Sequence, residues 1–360
     1  MKTFGALLVA FTLAAVSIIA QSPAELPGAK YGADPSYKVP RTADGRPDLQ
    51  GVWANNNVTP MTRPTQWRNK ATITDAELQE LKKLVAQNAQ DGGDAIFADF
   101  IQLALNTKEK GKFDQTSYDP TTGNYNQFWM AEREWDTRTS LIVDPQNGMM
   151  PPLTPEGEKR RGGRGRGFNA AAGPQAPQRR RPEGPEDLPL GERCVTFGAP
   201  RTGAGYNSYL QIIQSPETVV LLQEMAHDAR MVPITSKATL PSNVKQWLGK
   251  PNGRWEGDTL VVETTNYLQG FQGSTPDVKV TERYTRVAAD YINWVITVDD
   301  PKTWTQPWSF MIRLKRSDDQ VYEYACHEGN HSMIGILAGA RREEAKEEAA
   351  ANAKKTGQQP

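Results

Sequence analysis

The sequence predicts a mainly β protein: a C-terminal antiparallel barrel or sandwich, preceded by a helical and irregular part and followed by a C-terminal helix. Three observations carry this. Beyond residue 188, runs rich in Val, Ile, Thr, Tyr and Trp succeed one another, separated by turn formers at short intervals. The 360 residues include 26 prolines, 30 glycines and 9 tryptophans, a mix that suits β-structure with many turns. Helical periodicity is confined to a few segments elsewhere.

Taken in order, the elements are these. Lys2, the apolar run FGALLVAFTLAAVSIIA and then QSPAE read as an export signal over 1–20, with the cut favoured between Ala20 and Gln21. The run is short for a membrane span of about 20 residues. No cysteine follows it that could carry a lipid, and no later run is long enough to span. A periplasmic or secreted location is therefore expected. Residues 21–155 form the helical and irregular region. It opens with a polar, Pro-rich arm and a strand ending at Trp53. In ITDAELQELKKLVAQ, Thr74 and Glu77 make a capping box, and Leu78, Leu81 and Val85 share one face of the predicted helix. A second helix is predicted within DAIFADFIQLALNT; NYNQFWMAEREW is ambiguous. RTSLIVDPQNG reads as a strand closing in a turn from Pro145 to Gly148.

Residues 156–187 are rich in Arg, Gly and Pro and nearly devoid of apolar side chains. Such a segment buries too little surface to offset its ordering entropy and is expected to be a disordered insert. Arg-Gly repeats suit RNA, but an exported protein meets little of it, so contact with an anionic surface is the more sensible role. The formal net charge of zero also argues against a nucleic-acid binder. Residues 188–331 are expected to be the antiparallel β domain, with strands in YNSYLQIIQSP, ETVVLLQEMAHDARMVPI, GRWEGDTLVVETTNY, DVKVTERYTRV, DYINWVITVDDP, PWSFMIRLKRS and QVYEYACHEG. Residues 332–360 should be a helix and tail. Cys194 and Cys326 are the two cysteines, and one disulfide between them is the simplest reading in an oxidising compartment.

Candidate chemistry is sparse. His327-Glu328-Gly329-Asn330-His331 fits the H-E-x-x-H pattern of zinc hydrolases. That chemistry needs both histidines one helical turn apart, with a third ligand nearby. Here VYEYAC alternates like a strand, Gly329-Asn330 is a turn dipeptide, and no third ligand follows. A zinc held by His227, His327 and His331 is the metal alternative; no cofactor is otherwise expected. Read as one strand, residues 218–233 put Glu224, Asp228 and Arg230 on one face with Val220 and Leu222. Met225, His227 and Met231 then share the other face with Val219 and Leu221. A charged cluster at the end of an apolar strand suits the mouth of a pocket. Glu282 and Arg283, Asp299 and Asp300, and Trp304 and Trp308 are further candidates, the tryptophans as core packing or as a platform for a sugar or lipophilic ligand. No G-x-S-x-G, Walker loop or dinucleotide fingerprint in a strand–helix setting is present.

Together DGRPDLQGVW, LPLGERCVTFGAPR, EMAHDARMVPI, GRWEGDTLVVETTNY and YEYACHEGN resemble a family of secreted bacterial proteins of unknown function. The resemblance spans nearly the whole chain apart from the Arg-Gly insert, and it transfers no catalytic residues. It also implies that His331 stands where relatives often carry Tyr, which makes the H-E-x-x-H match a local accident. The strand succession is similar to that of lipocalin-like barrels, a likeness of fold that says little of function.

The functional expectation is a binder of a small apolar or glycan-like molecule in a barrel pocket, with Glu224, His227, Arg230, Glu282 and Trp308 as contacts. The alternative is a hydrolase, lyase or isomerase using His227 or His327 as base with Glu224 or Glu328 as partner.

Overall fold

The computed structural model describes residues 27–90, 100–111, 133–163, 181–234 and 240–356. The expected export signal, the Arg-Gly core of the insert at 164–180, the start of the second predicted helix at 94–99 and most of the ambiguous aromatic segment lie outside them.

The protein is mainly β. Its strands are β1 Gly51–Ala54, β2 Ile142–Asp144, β3 Tyr209–Gln214, β4 Thr218–Gln223, β5 Ala229–Pro233, β6 Lys250–Glu256, β7 Thr259–Thr265, β8 Lys279–Ala288, β9 Tyr291–Asp299 and β10 Trp308–Ser317. They form one antiparallel sheet in the order β5-β4-β3-β1-β10-β9-β8-β7-β6, with β2 added to β10. Period-two alternation explains the inner face: Val280 and Tyr284 of β8, Ile292, Trp294 and Ile296 of β9, and Trp308, Phe310 and Ile312 of β10 enter one buried cluster. Trp53 from β1, Leu221 from β4 and Val232 from β5 join the same cluster.

A flat sheet would hold its edge strands β5 and β6 on the order of 38 Å apart, at about 4.8 Å per strand. Instead they lie side by side. A Cβ on Gly253 of β6 would come within 2.7 Å of Val232 and 2.6 Å of Ile234, so only glycine permits this approach. The sheet is therefore curled until its edges meet, yet no ladder joins them. Eight successive antiparallel pairings leave β5 and β6 running in the same direction. Pro233 and Pro251 remove an N–H from each edge, which hinders zipping.

Among the described residues, four α-helices lie outside the sheet. α1, Asp75–Gln90, starts at the expected capping box: Glu77 N donates to Thr74 Oγ1 at 3.2 Å and Thr74 N to Glu77 Oε2 at 2.9 Å. It packs on α2, Phe100–Lys110, through a second small core that includes Leu81, Val85, Ile101 and Leu105. α3, Pro155–Gly163, occupies the start of the segment expected to be disordered. Its N-terminus is made by Thr154, whose Oγ1 accepts from Gly157 N at 3.0 Å, with Pro155 at the first helical position. α4, His331–Thr356, is the expected C-terminal helix. It is tied to the chain before β3 by Arg341 donating to the Pro182 carbonyl at 2.7 Å and by an Arg181–Glu347 ion pair.

Two strand expectations need correction. Residues 218–233 are two strands joined by a tight turn, Met225–His227, in which Ala226 and His227 adopt φ of 61° and 52°. The turn reverses the chain, so Arg230 lies opposite Leu221 and faces the interior with it. The segment VYEYAC makes no ladder; it runs as an extended tail into the turn before α4.

Candidate functional site

Most of the residues singled out in the sequence fall into three separate places. The first is inside the curled sheet. Arg230 of β5 and Glu282 of β8 form a two-pronged ion pair, Nη1–Oε1 at 2.5 Å and Nη2–Oε2 at 2.9 Å, with side chains 1% and 0% exposed. Tyr284 donates its hydroxyl to Glu282 Oε2 at 2.6 Å. Burial opposes the Arg230 charge, but Glu282 outweighs it and holds the guanidinium pKa above its ordinary value. Burial, reinforced by the Glu282 charge, pushes the Tyr284 and Tyr267 hydroxyls upward. Arg230 Nε is buried without a protein hydrogen-bond partner. Trp308 belongs to this interior as packing: its ring is fully buried, edge-on to Trp304 and stacked on Phe310. That leaves it no free face for a sugar.

The second place is the β4–β5 turn, which gathers acceptors. His227 Nε2 accepts the backbone N–H of Tyr324 at 2.8 Å, so a neutral His227 carries its proton on Nδ1. Asp228 Oδ2 accepts from Thr196 Oγ1 at 2.6 Å and from Phe197 N at 3.4 Å. Tyr209 N approaches Glu224 Oε2 at 3.5 Å. Three acceptors of one turn thus hold three different stretches of chain. Two of those stretches are also joined covalently: Cys194 and Cys326 form a disulfide, 132 residues apart in sequence, and Phe197 packs edge-on to Tyr324. Arg201 lies behind the turn, with Nε on Met225 Sδ at 3.1 Å and its Nη atoms on the Gly203 and Tyr206 carbonyls. Burial lowers its pKa, and burial raises those of Glu224 and Asp228. Sequence reading missed Arg201, Thr196 and Tyr324, since nothing local marks them as neighbours of the turn.

The third place is the exposed turn before α4. His327, Glu328 and Gly329 lie in that turn and His331 is the first residue of the helix, so the H-E-x-x-H pattern is not borne on a helical face. Among the described residues no three His, Cys, Asp or Glu side chains are grouped to hold a metal ion. Asp300, from the paired aspartates, caps a turn by accepting from Thr275 N and Thr303 Oγ1, both at 2.6 Å. Asp299 faces Lys279 at 3.8 Å.

A cleft of about 290 Å³ opens where β5 and β6 diverge. Ala229, Arg230 and Met231 form one wall, Lys250 and Pro251 the other, and Leu240, Gln246, Leu248 and Gly249 close its end. Of the expected ligand contacts, Arg230 alone lines it; Glu224 and His227 are spent on the turn, and Glu282 sits behind Arg230. Among the described residues, no helix is long and apolar enough to cross a membrane. Comparison of the chain with protein-family models, with curated proteins and with solved structures finds no match.

Proposed function

We propose that this is an exported barrel, open along one seam, that binds a small molecule in the cleft at that seam. The barrel reading is supported by the single core shared by strands from every part of the sheet and by the contact of β5 with β6. Export is supported by the disulfide, which persists in oxidising compartments. The observation that carries the binding reading is the cleft itself. Its walls are aliphatic at Met231, Leu240, Leu248 and Pro251 and cationic at Lys250, with no carboxylate among the described lining residues; Arg230 also lines it, but its charge is matched by Glu282 behind it. An apolar body with an acceptor or anionic group fits such walls, and the volume lies near the small end for ligand sites. The barrel centre itself is filled by Trp53, Trp294, Trp308, Tyr267, Tyr284 and Phe310, which leaves the seam as the place for a guest.

The test is a thermal-shift and calorimetric screen of short amphiphilic carboxylates, sugar acids and aromatic acids against the wild type and Leu248→Trp, which fills the cleft. A ligand that stabilises the wild type and loses at least tenfold in affinity against Leu248→Trp is expected. Ligands indifferent to that substitution would place binding elsewhere, and none at all across the screen would overturn the binding reading.

A further inference from the structure

The seam is an unfinished edge of sheet as well as a cleft, and the hydrogen-bond pattern shows which peptide groups are left over. Ile234 N donates to Glu217 O and Gln223 N to Asp228 O, at 2.8 and 3.0 Å. Antiparallel alternation then puts the bonded pairs at Leu221–Arg230 and Val219–Val232. The peptide groups of Ala229 and Met231 therefore point away from β4, into the space lined by the cleft. Across the gap, the two-residue turn at Gly257–Asp258 fixes Glu256–Thr259 as a bonded pair of β6 and β7. By the same alternation Pro251, Gly253 and Trp255 face the seam, and Pro251 has no N–H to offer. Below the cleft the side chains of Val232 and Ile234 close against Gly253, and Pro233 removes a further donor from β5. What remains open is one stretch of β5 with two N–H and two C=O groups that have no partner among the described residues, flanked by apolar side chains. Lys250 stands beside it with no ion-pair partner among the described residues.

We infer that the ligand of this cleft is a short extended peptide carrying a carboxylate, added as a strand to the free edge of β5 with the carboxylate at Lys250. This deepens the binding reading above and rests on it. Main-chain bonds from Ala229 and Met231 would supply affinity, and alternate side chains would rest on Leu240, Leu248 and Met231, as in other cases of strand addition. Pro233 at one end of the stretch and the Met225–His227 turn at the other limit the ligand to about three or four residues, at roughly 3.3 Å each.

The experiment uses a library of tetrapeptides with free C-terminal carboxylates, the same peptides with methylated backbone nitrogens, and the full chain as wild type, Met231→Pro, Met231→Ala and Lys250→Ala. Met231 N–H is outside the β4 ladder, so proline there removes the free donor and leaves the sheet bonded. Peptides that bind the wild type, weaken at least tenfold on N-methylation and against Met231→Pro, weaken several-fold against Lys250→Ala, and lose much less against Met231→Ala, which trims a wall side chain but keeps the N–H, are the expected result. Binders indifferent to both N-methylation and Met231→Pro, or a library without binders, overturn the inference. If Met231→Pro fails to fold, the methylated peptides decide alone. A small acid displaced by Leu248→Trp but untouched by Met231→Pro, with no peptide bound, sinks the peptide class while the cleft stands. No guest of either kind sinks both.

Discussion

Replacing Glu282 by Gln tests the curl of the sheet most directly. Arg230 and Glu282 sit on strands six places apart in the sheet order, on the order of 29 Å if it were flat. Their two bonds of 2.5 and 2.9 Å exist only because the sheet wraps round. Gln keeps the shape and an oxygen for the Tyr284 hydroxyl, so the substitution removes little besides charge. It strands a guanidinium that is 1% exposed. Breaking such a pair from one side costs about 3–5 kcal/mol. The mirror experiment removes the polar group altogether: Arg230→Met with Glu282→Leu and Tyr284→Phe. The third change spares the orphaned hydroxyl of Tyr284, which would otherwise cost about 1–3 kcal/mol. The triple variant is expected to equal the wild type or exceed it by about 1–4 kcal/mol. Urea unfolding followed by tryptophan fluorescence reads both, since Trp294 stacks on Tyr284 at 5.4 Å and reports the spot. A cost below about 1 kcal/mol for Glu282→Gln would match a solvated surface pair and refute the curled geometry.

Four further outcomes are expected. Ala226→Gly should stabilise the fold by about 0.5–1 kcal/mol in the same assay, because Ala226 holds a φ of 61° that glycine adopts freely. His227→Ala should speed amide exchange at Tyr324 about fivefold, the equivalent of one lost hydrogen bond of about 1 kcal/mol; unchanged exchange would mean that the imidazole is free for other work. Cys194→Ser with Cys326→Ser opens a loop of 132 residues and should cost about 4–5 kcal/mol by chain entropy, read against the oxidised wild type. Asp136 sets a pH dependence: burial opposes its charge, but Arg138, 2.7 Å away, and Tyr31 outweigh it and hold the carboxyl below its ordinary value. Its contribution is thus present above about pH 4 and lost as pH falls through the folded value, so Asp136→Asn should flatten the acid limb of stability against pH.

Much of the fold was legible where local chemistry decides it. Alternation and the Gly257–Asp258 turn mark β6 to β10, the Thr74–Glu77 box starts α1, and the compartment argument pairs the two cysteines. The errors arise where local signals are silent or outvoted. The turn at Met225–His227 contains no Gly, Pro or Asn, so its reversal was invisible and the strand phase beyond it was inverted for Arg230. Thr154-Pro155 is a sound helix start, but the Arg and Gly composition that follows it masked α3. VYEYAC has strand alternation and no neighbour to pair with, a condition set by topology alone.

The candidate site divides along the same line. Arg230 and Glu282 both stood out as charged residues in apolar strands, but their partnership spans 52 positions and depends on the curl. His227 and Glu224 stood out for the same reason and turn out to hold neighbouring loops. A residue type can announce that it needs a partner; only the fold says whether that partner is a backbone amide, a buried ion or a guest. The seam follows this logic furthest. Two prolines, one glycine and an odd number of strands in the circuit are each unremarkable in the sequence. Together they leave two peptide units of β5 without a partner among the described residues, and such backbone groups beside a lysine with no ion pair among those residues are what an extended, acidic guest would complete.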